Sequence, residues 1–188
     1  MSKPLSNLFH GTTGEINYPR SQQKNEGDII KERVQGLDLR EHPVKHKSSL
    51  SLKAIRKKIK ERTASREDYR KYNSMSRLKR RRQKGVNEFW KQERRRIKNG
   101  EPTTRNWTIE QRQAIIQSRR PSVNGKSLQG HHTYSVSKYP HLANKGEVVF
   151  PVTFKEHLYD WHGRNFQKSL PGRPFKRHKK SQRRINYV

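Results

Sequence analysis

Five of the nine histidines in the chain fall between His131 and His162, and no residue pattern in the sequence is chemically more informative. Neutral imidazoles can hold a divalent cation without cancelling its charge. With a pKa near 6.5, an imidazole can also take a proton at neutral pH. Together these properties suit hydrolysis of a phosphodiester: a cation grips a phosphate oxygen and steadies charge on the leaving oxygen, while a base activates water. The chain contains no cysteine, so any metal must sit on histidine, carboxylate or carbonyl groups. A structural zinc site, usually closed by four ligands and rich in cysteine, fits less well.

The elements that must position these histidines can be read around them. Asn124-Gly125 is a turn signal, and Ser127 to His131 follows as a returning strand. Successive strand side chains face opposite ways, so one ion is not expected to take both His131 and His132. One would be a ligand, leaving the other free as a base. A second strand is predicted over Glu147–Val152, where Val148, Phe150 and Val152 alternate with the other face and Pro151 argues for an edge. Thr153 and Glu156 then have capping-box spacing, predicting a helix from Phe154 to His162 with Gly163 at its end. His157 and His162, five residues apart, would stand roughly 140° apart on a regular α-helix. The spacing therefore predicts a distorted last turn, for which Gly163 gives the backbone freedom.

Upstream, Leu50–Gly100 carries apolar residues at turn spacing and predicts three helices, with Ser65 and Asp68 capping the second and Gly85 and Gly100 ending the second and third. Thr108 and Gln111 form a further capping box that opens a short helix. The fold class expected is α+β, with a basic helical N-terminal region followed by a small unit of strand, long loop, strand and helix. Residues 1–47 read as a polar linker or arm, 48–105 as the basic helical region able to bind nucleic acid or an inhibitor, 106–175 as the unit carrying the histidines, and 176–188 as a basic tail.

Composition narrows the partner. Forty-five Lys and Arg against 16 Asp and Glu give a formal charge of +29, and hydrophobic residues make up only 28%. Such self-repulsion is relieved beside a polyanion, which makes nucleic acid the expected partner. No apolar run approaches a membrane span, and Met1 to His10 lack the basic segment and following apolar run of a signal peptide, so none is expected in this chain. A non-catalytic, basic nucleic-acid-binding structural protein is the competing expectation. It gives no reason for histidines to concentrate in one segment.

Gly130-His131-His132, Tyr139-Pro140-His141, Phe150-Pro151-Val152-Thr153, and Glu156-His157 through Trp161-His162-Gly163 together resemble the GHH branch of the HNH/endonuclease VII superfamily. That branch occurs largely as C-terminal toxin domains of bacterial polymorphic toxins. The resemblance covers 106–175 and implies a ββα-metal fold, in which His131, His157 and His162 are metal ligands and His132 is the general base. It implies one divalent ion (Mg, Mn, Zn or Ni) and cleavage leaving 5′-phosphate and 3′-hydroxyl ends, on DNA before RNA. An acidic immunity protein is the implied partner. The implied setting is secretion within a larger toxin and action in the target-cell cytoplasm. The middle Asn of the HNH signature has no clear counterpart; Asn144 is nearest in kind. Arg164 stands where the family often has Gly, and Lys145, Arg164 and Asn165 are candidate phosphate contacts.

Overall fold

Ser65 and Asp68 start the longest element of the chain. The Ser65 hydroxyl accepts from the Asp68 amide, and the Asp68 carboxylate accepts from the Ser65 amide, the capping box expected there. In the computed structural model, which describes residues 24–175, this helix runs without interruption from Arg66 to Lys98 (α3). The expected basic tail 176–188 and the first part of the expected arm lie outside the described residues.

Three further helices precede or follow it: α1 (Glu26–Arg33), α2 (Leu52–Lys60) and α4 (Ile109–Ile116). The α4 helix carries the anticipated Thr108/Gln111 capping box, although only Ile115 of its apolar residues is buried. Two short strands, β1 (Ser122–Val123) and β2 (Lys126–Ser127), form a hairpin on Asn124 and Gly125, both with positive φ, as a tight Asn-Gly turn requires. The strands that matter for chemistry are β3 (Gln129–His132) and β4 (Val149–Val152), antiparallel with His131 opposite Phe150 and His132 opposite Val149. A helical turn follows β4 directly. The architecture is α+β, as expected.

The break anticipated at Gly85 does not occur. Gly85 is buried inside α3, and a Cβ there would lie 2.5 Å from the Ala143 carbonyl oxygen and 3.1 Å from Nε2 of His132. Its role is close approach, not chain reversal. Gly130 acts similarly from the strand side: a Cβ there would come within 2.9 Å of Val86. These two glycines let α3 lie directly against β3.

The β3–β4 pair is covered on both faces. On one side, Phe150 and Val152 join Ile30, Val34, Tyr134, Leu142 and Trp161 in a core that α1 closes. On the other, Val149 joins Phe89, Trp90, Trp107, Ile115 and Leu128. The arm is thus docked: the Arg33 guanidinium donates to the carbonyls of Val149 (2.9 Å) and Gly146 (2.7 Å) and lies over Phe89. Fully buried Glu93 pins α3 to the following segment, accepting from the amide and hydroxyl of Thr104 and from Nε1 of Trp107.

Candidate active site

From β3, His131 points toward the helical turn after β4 and His132 toward α3, the two faces that strand alternation requires. The turn is a π-helix, Glu156–Trp161, with His162 as its C-terminal cap. Because π-helical geometry closes on residue i+5, it brings His157 and His162 to one side, where their Nε2 atoms stand 3.2 Å apart. The five-residue interval thus selects a π turn of the whole segment, where the sequence alone suggested a disturbed last turn. Two interactions hold its start. Glu156 accepts from the Thr153 amide at 2.7 Å and forms a two-pronged ion pair with Arg105, which also donates to the Pro151 carbonyl. Its end is marked by Gly163 and Arg164, both with positive φ.

His131 completes the group. Its ring lies against Trp161 (centroids 4.7 Å), His157 (4.8 Å) and His162 (5.0 Å). One ligand atom from each of the three histidines falls within 4.8 Å of the others.

The outer hydrogen bonds fix which nitrogens face inward. Nδ1 of His157 donates to the Gln129 side-chain oxygen at 2.8 Å, and Nδ1 of His162 donates to the Lys168 carbonyl. Each ring therefore presents an Nε2 lone pair to the other. Two lone pairs 3.2 Å apart repel unless a cation lies between them. Donors 2.1 Å from a shared ion stand about 3.0 Å apart in octahedral and about 3.4 Å apart in tetrahedral geometry, which brackets the observed separation. Nε2 of His131 is buried with no hydrogen-bond partner among the described residues. The donor set, its orientation and this orphaned nitrogen fit a divalent metal.

Electrostatics agree. Burial, then the rings of His157, His162 and His132, then Arg82, hold His131 well below the usual imidazole range. Burial, with His162 and Arg82 adding, pushes His157 down to about 4. Both rings are neutral at pH 7, the state that ligation requires.

His132 stands apart from this group. Its Nε2 donates to the Ala143 carbonyl at 2.9 Å, which fixes the tautomer and leaves Nδ1 as a lone pair, buried and without a partner among the described residues. Burial pushes its pKa down to about 4; the bond to Ala143 opposes this and Arg82 adds to it. His132 also lines a cleft of about 300 Å³ between α3 and β3, with Lys79, Arg82 and Gln83 on one wall and Arg120, Gln129 and Gly130 on the other. Among the described residues, no carboxylate lines it.

The remaining expected residues separate by position. Asn144 adjoins His132 through the backbone, by way of the preceding Ala143 carbonyl, while its own side-chain oxygen accepts from Arg81 at 2.9 Å. Lys145 is exposed at the start of a 3-10 turn. Asn165 builds the loop behind His162: its side chain accepts from the Gln167 amide and its carbonyl from the Lys168 amide. Arg164 has φ +70 and stacks its guanidinium over Tyr159. A non-glycine residue in the left-handed region costs about 1–2 kcal/mol, which explains why glycine suits the position. Lys79 and Arg82 belong to the basic helical region that the sequence offers to nucleic acid, whereas Gln129 and Arg120 escaped the sequence reading. Of these two, Gln129 left a signal there, two residues before His131 and so on the same strand face.

Residues 74–153 match the family described as GHH signature containing HNH/Endo VII superfamily nuclease toxin. This segment takes in the C-terminal part of α3 and both β3 and β4, and over it the chain is similar to nuclease toxin domains of that family. The match ends at residue 153, so His157 and His162 lie just beyond it. No curated protein matches the chain.

Proposed function

We propose that the protein is a metal-dependent endonuclease that hydrolyses nucleic-acid phosphodiesters, with DNA as the first substrate to test, and that it serves as the toxin domain of a bacterial polymorphic toxin. The observation that carries the reading is the pair of inward Nε2 atoms on His157 and His162, 3.2 Å apart, each ring tethered by its other nitrogen. His131, His157 and His162 would hold one divalent ion; magnesium, manganese, zinc and nickel remain the candidates. Bound there, the ion supplies positive charge against a phosphate oxygen and the leaving 3′ oxygen.

The protein's own groups do the rest. His132, fixed by Ala143, offers Nδ1 to take a proton from the attacking water. Its lowered pKa keeps it neutral before substrate arrives, and an incoming phosphate anion stabilises the imidazolium once the proton is transferred. Arg82 and the cleft cations draw the backbone toward it. Lys145, Arg164 and Asn165 keep the status of candidate contacts, and Asn144 that of a base-orienting neighbour. An acidic immunity protein in the producing cell and action in the target-cell cytoplasm complete the reading.

The test is incubation of the purified chain with plasmid DNA, both supercoiled and heat-denatured to single strands, and with total RNA, with and without chelator. Cleavage that chelator abolishes is expected; His132→Ala should cut at least a hundredfold more slowly yet still bind nucleic acid, and His162→Ala should also lose metal affinity by calorimetry. A wild-type chain that cuts neither polymer under any of the four metals sinks the reading.

A further inference from the structure

Beside the histidine group, on the side away from the α3 cleft, two large aromatic rings are left in solvent. Phe154 is 57% and Phe166 52% exposed, and their centroids lie 6.3 Å apart. Burying them would have been favourable, so their exposure asks for an occupant. Phe166 packs against both His157 (5.4 Å) and His162 (5.1 Å), so anything resting on it sits next to the reacting centre. The cationic cleft abuts the same place from the other direction: Gln129 lines that cleft and holds His157. Lys79, Arg82 and Arg120 thus offer phosphate contacts on one side of the histidines, and flat apolar faces stand on the other.

We propose that Phe154 and Phe166 form a base-stacking platform and that the site takes single-stranded nucleic acid, its backbone along the Lys79–Arg82–Arg120 cleft and unstacked bases on the two rings. The inference rests on the nuclease reading above and names the substrate form for that site. In a duplex the bases are stacked on one another and have no face to offer; in a single strand every base has one, and stacking on aromatic side chains is the usual way such strands are held. The chain's charge of +29 and a cleft whose described lining carries cations and no carboxylate favour a polyanion over a protein ligand as occupant.

The test separates stacking from packing. Leucine keeps most of the volume against His157 and His162 but has no π face; tryptophan keeps the face. In the full chain carrying His132→Ala, and with chelator present, binding of a single-stranded oligonucleotide containing 2-aminopurine is followed by fluorescence quenching and anisotropy, against the same sequence as a duplex. Phe154→Leu and Phe166→Leu should each weaken single-strand binding about fivefold or more and lose the quench, and Phe154→Trp should restore both. Metal affinity of Phe166→Leu, measured separately, should stay within about twofold. Leucine variants that bind the single strand as tightly as their parent overturn the inference, as does a parent that prefers the duplex. Either result leaves the nuclease reading standing if the wild-type chain still cuts; a wild-type chain that does not cut overturns that reading first.

Discussion

Gln129 has no ligand atom of its own, yet it decides which nitrogen His157 presents. Its side-chain oxygen takes the Nδ1–H and leaves Nε2 facing His162. Gln129→Ala frees His157 to change tautomer and to rotate, and removing outer partners of this kind typically costs 10–100-fold in metal affinity. Calorimetric titration with manganese or zinc should find that loss while the thermal midpoint of the chelated protein hardly moves; unchanged affinity would show that the bond is ornamental. Lys168 performs the same task for His162 through a carbonyl, and no side-chain replacement reaches that bond directly. The contrast also marks what a sequence can disclose. Gln129 announces itself by standing two places from His131 on an alternating strand, whereas the carbonyls of Ala143 and Lys168 belong to residues whose side-chain type says nothing of their use.

At the scale of elements, the capping boxes at Ser65 and Thr108, the Asn-Gly hairpin and the order strand, strand, helix were all legible, because each rests on local chemistry. Two features were not. Gly85 reads as a helix end by composition, and only the Ala143 carbonyl arriving from 58 positions away shows why a helix should carry it. The interval from His157 to His162 demanded a non-α turn, but that the whole segment winds as a π-helix, its first residue Glu156 paired with Arg105 51 positions away, is visible only in the fold. Gly85→Ala makes the first case testable. Alanine favours the helix by about 1 kcal/mol, yet its methyl would meet the Ala143 oxygen at 2.5 Å. The carbonyl or the helix must shift, and His132 loses its fixed tautomer. Cleavage should fall at least tenfold with metal affinity retained, the reverse of the pattern expected for Gln129→Ala. Full activity in Gly85→Ala would mean that α3 does not position His132, the proposed base.

Across the whole molecule, charge is spread far beyond the cleft, so total binding and useful binding must be distinguished. Each phosphate contact adds about 0.9 to the slope of log affinity against log salt on duplex and about 0.7 on a single strand. Arg82→Ala should lower that slope by roughly one contact, in anisotropy titrations from low to moderate salt, and should slow cleavage more than it weakens binding because it stands beside His132. An equal substitution at exposed Lys57, on α2, should alter the slope alone. The α3 helix, about 50 Å long at 1.5 Å per residue, links these regions mechanically: α2 meets it near its start, through Lys58 and Asp68, and β3 lies against it past its midpoint, at Gly85 and Val86. The hold of Arg33 on β4 has a temporal side. Its two acceptors lie 113 and 116 residues further along the chain, so during synthesis from the N-terminus the guanidinium waits for most of the described sequence to emerge. Closing so long a loop is slow relative to local helix formation. Until it closes, the carbonyls of Val149 and Gly146 wait for the donor that holds them in the finished fold.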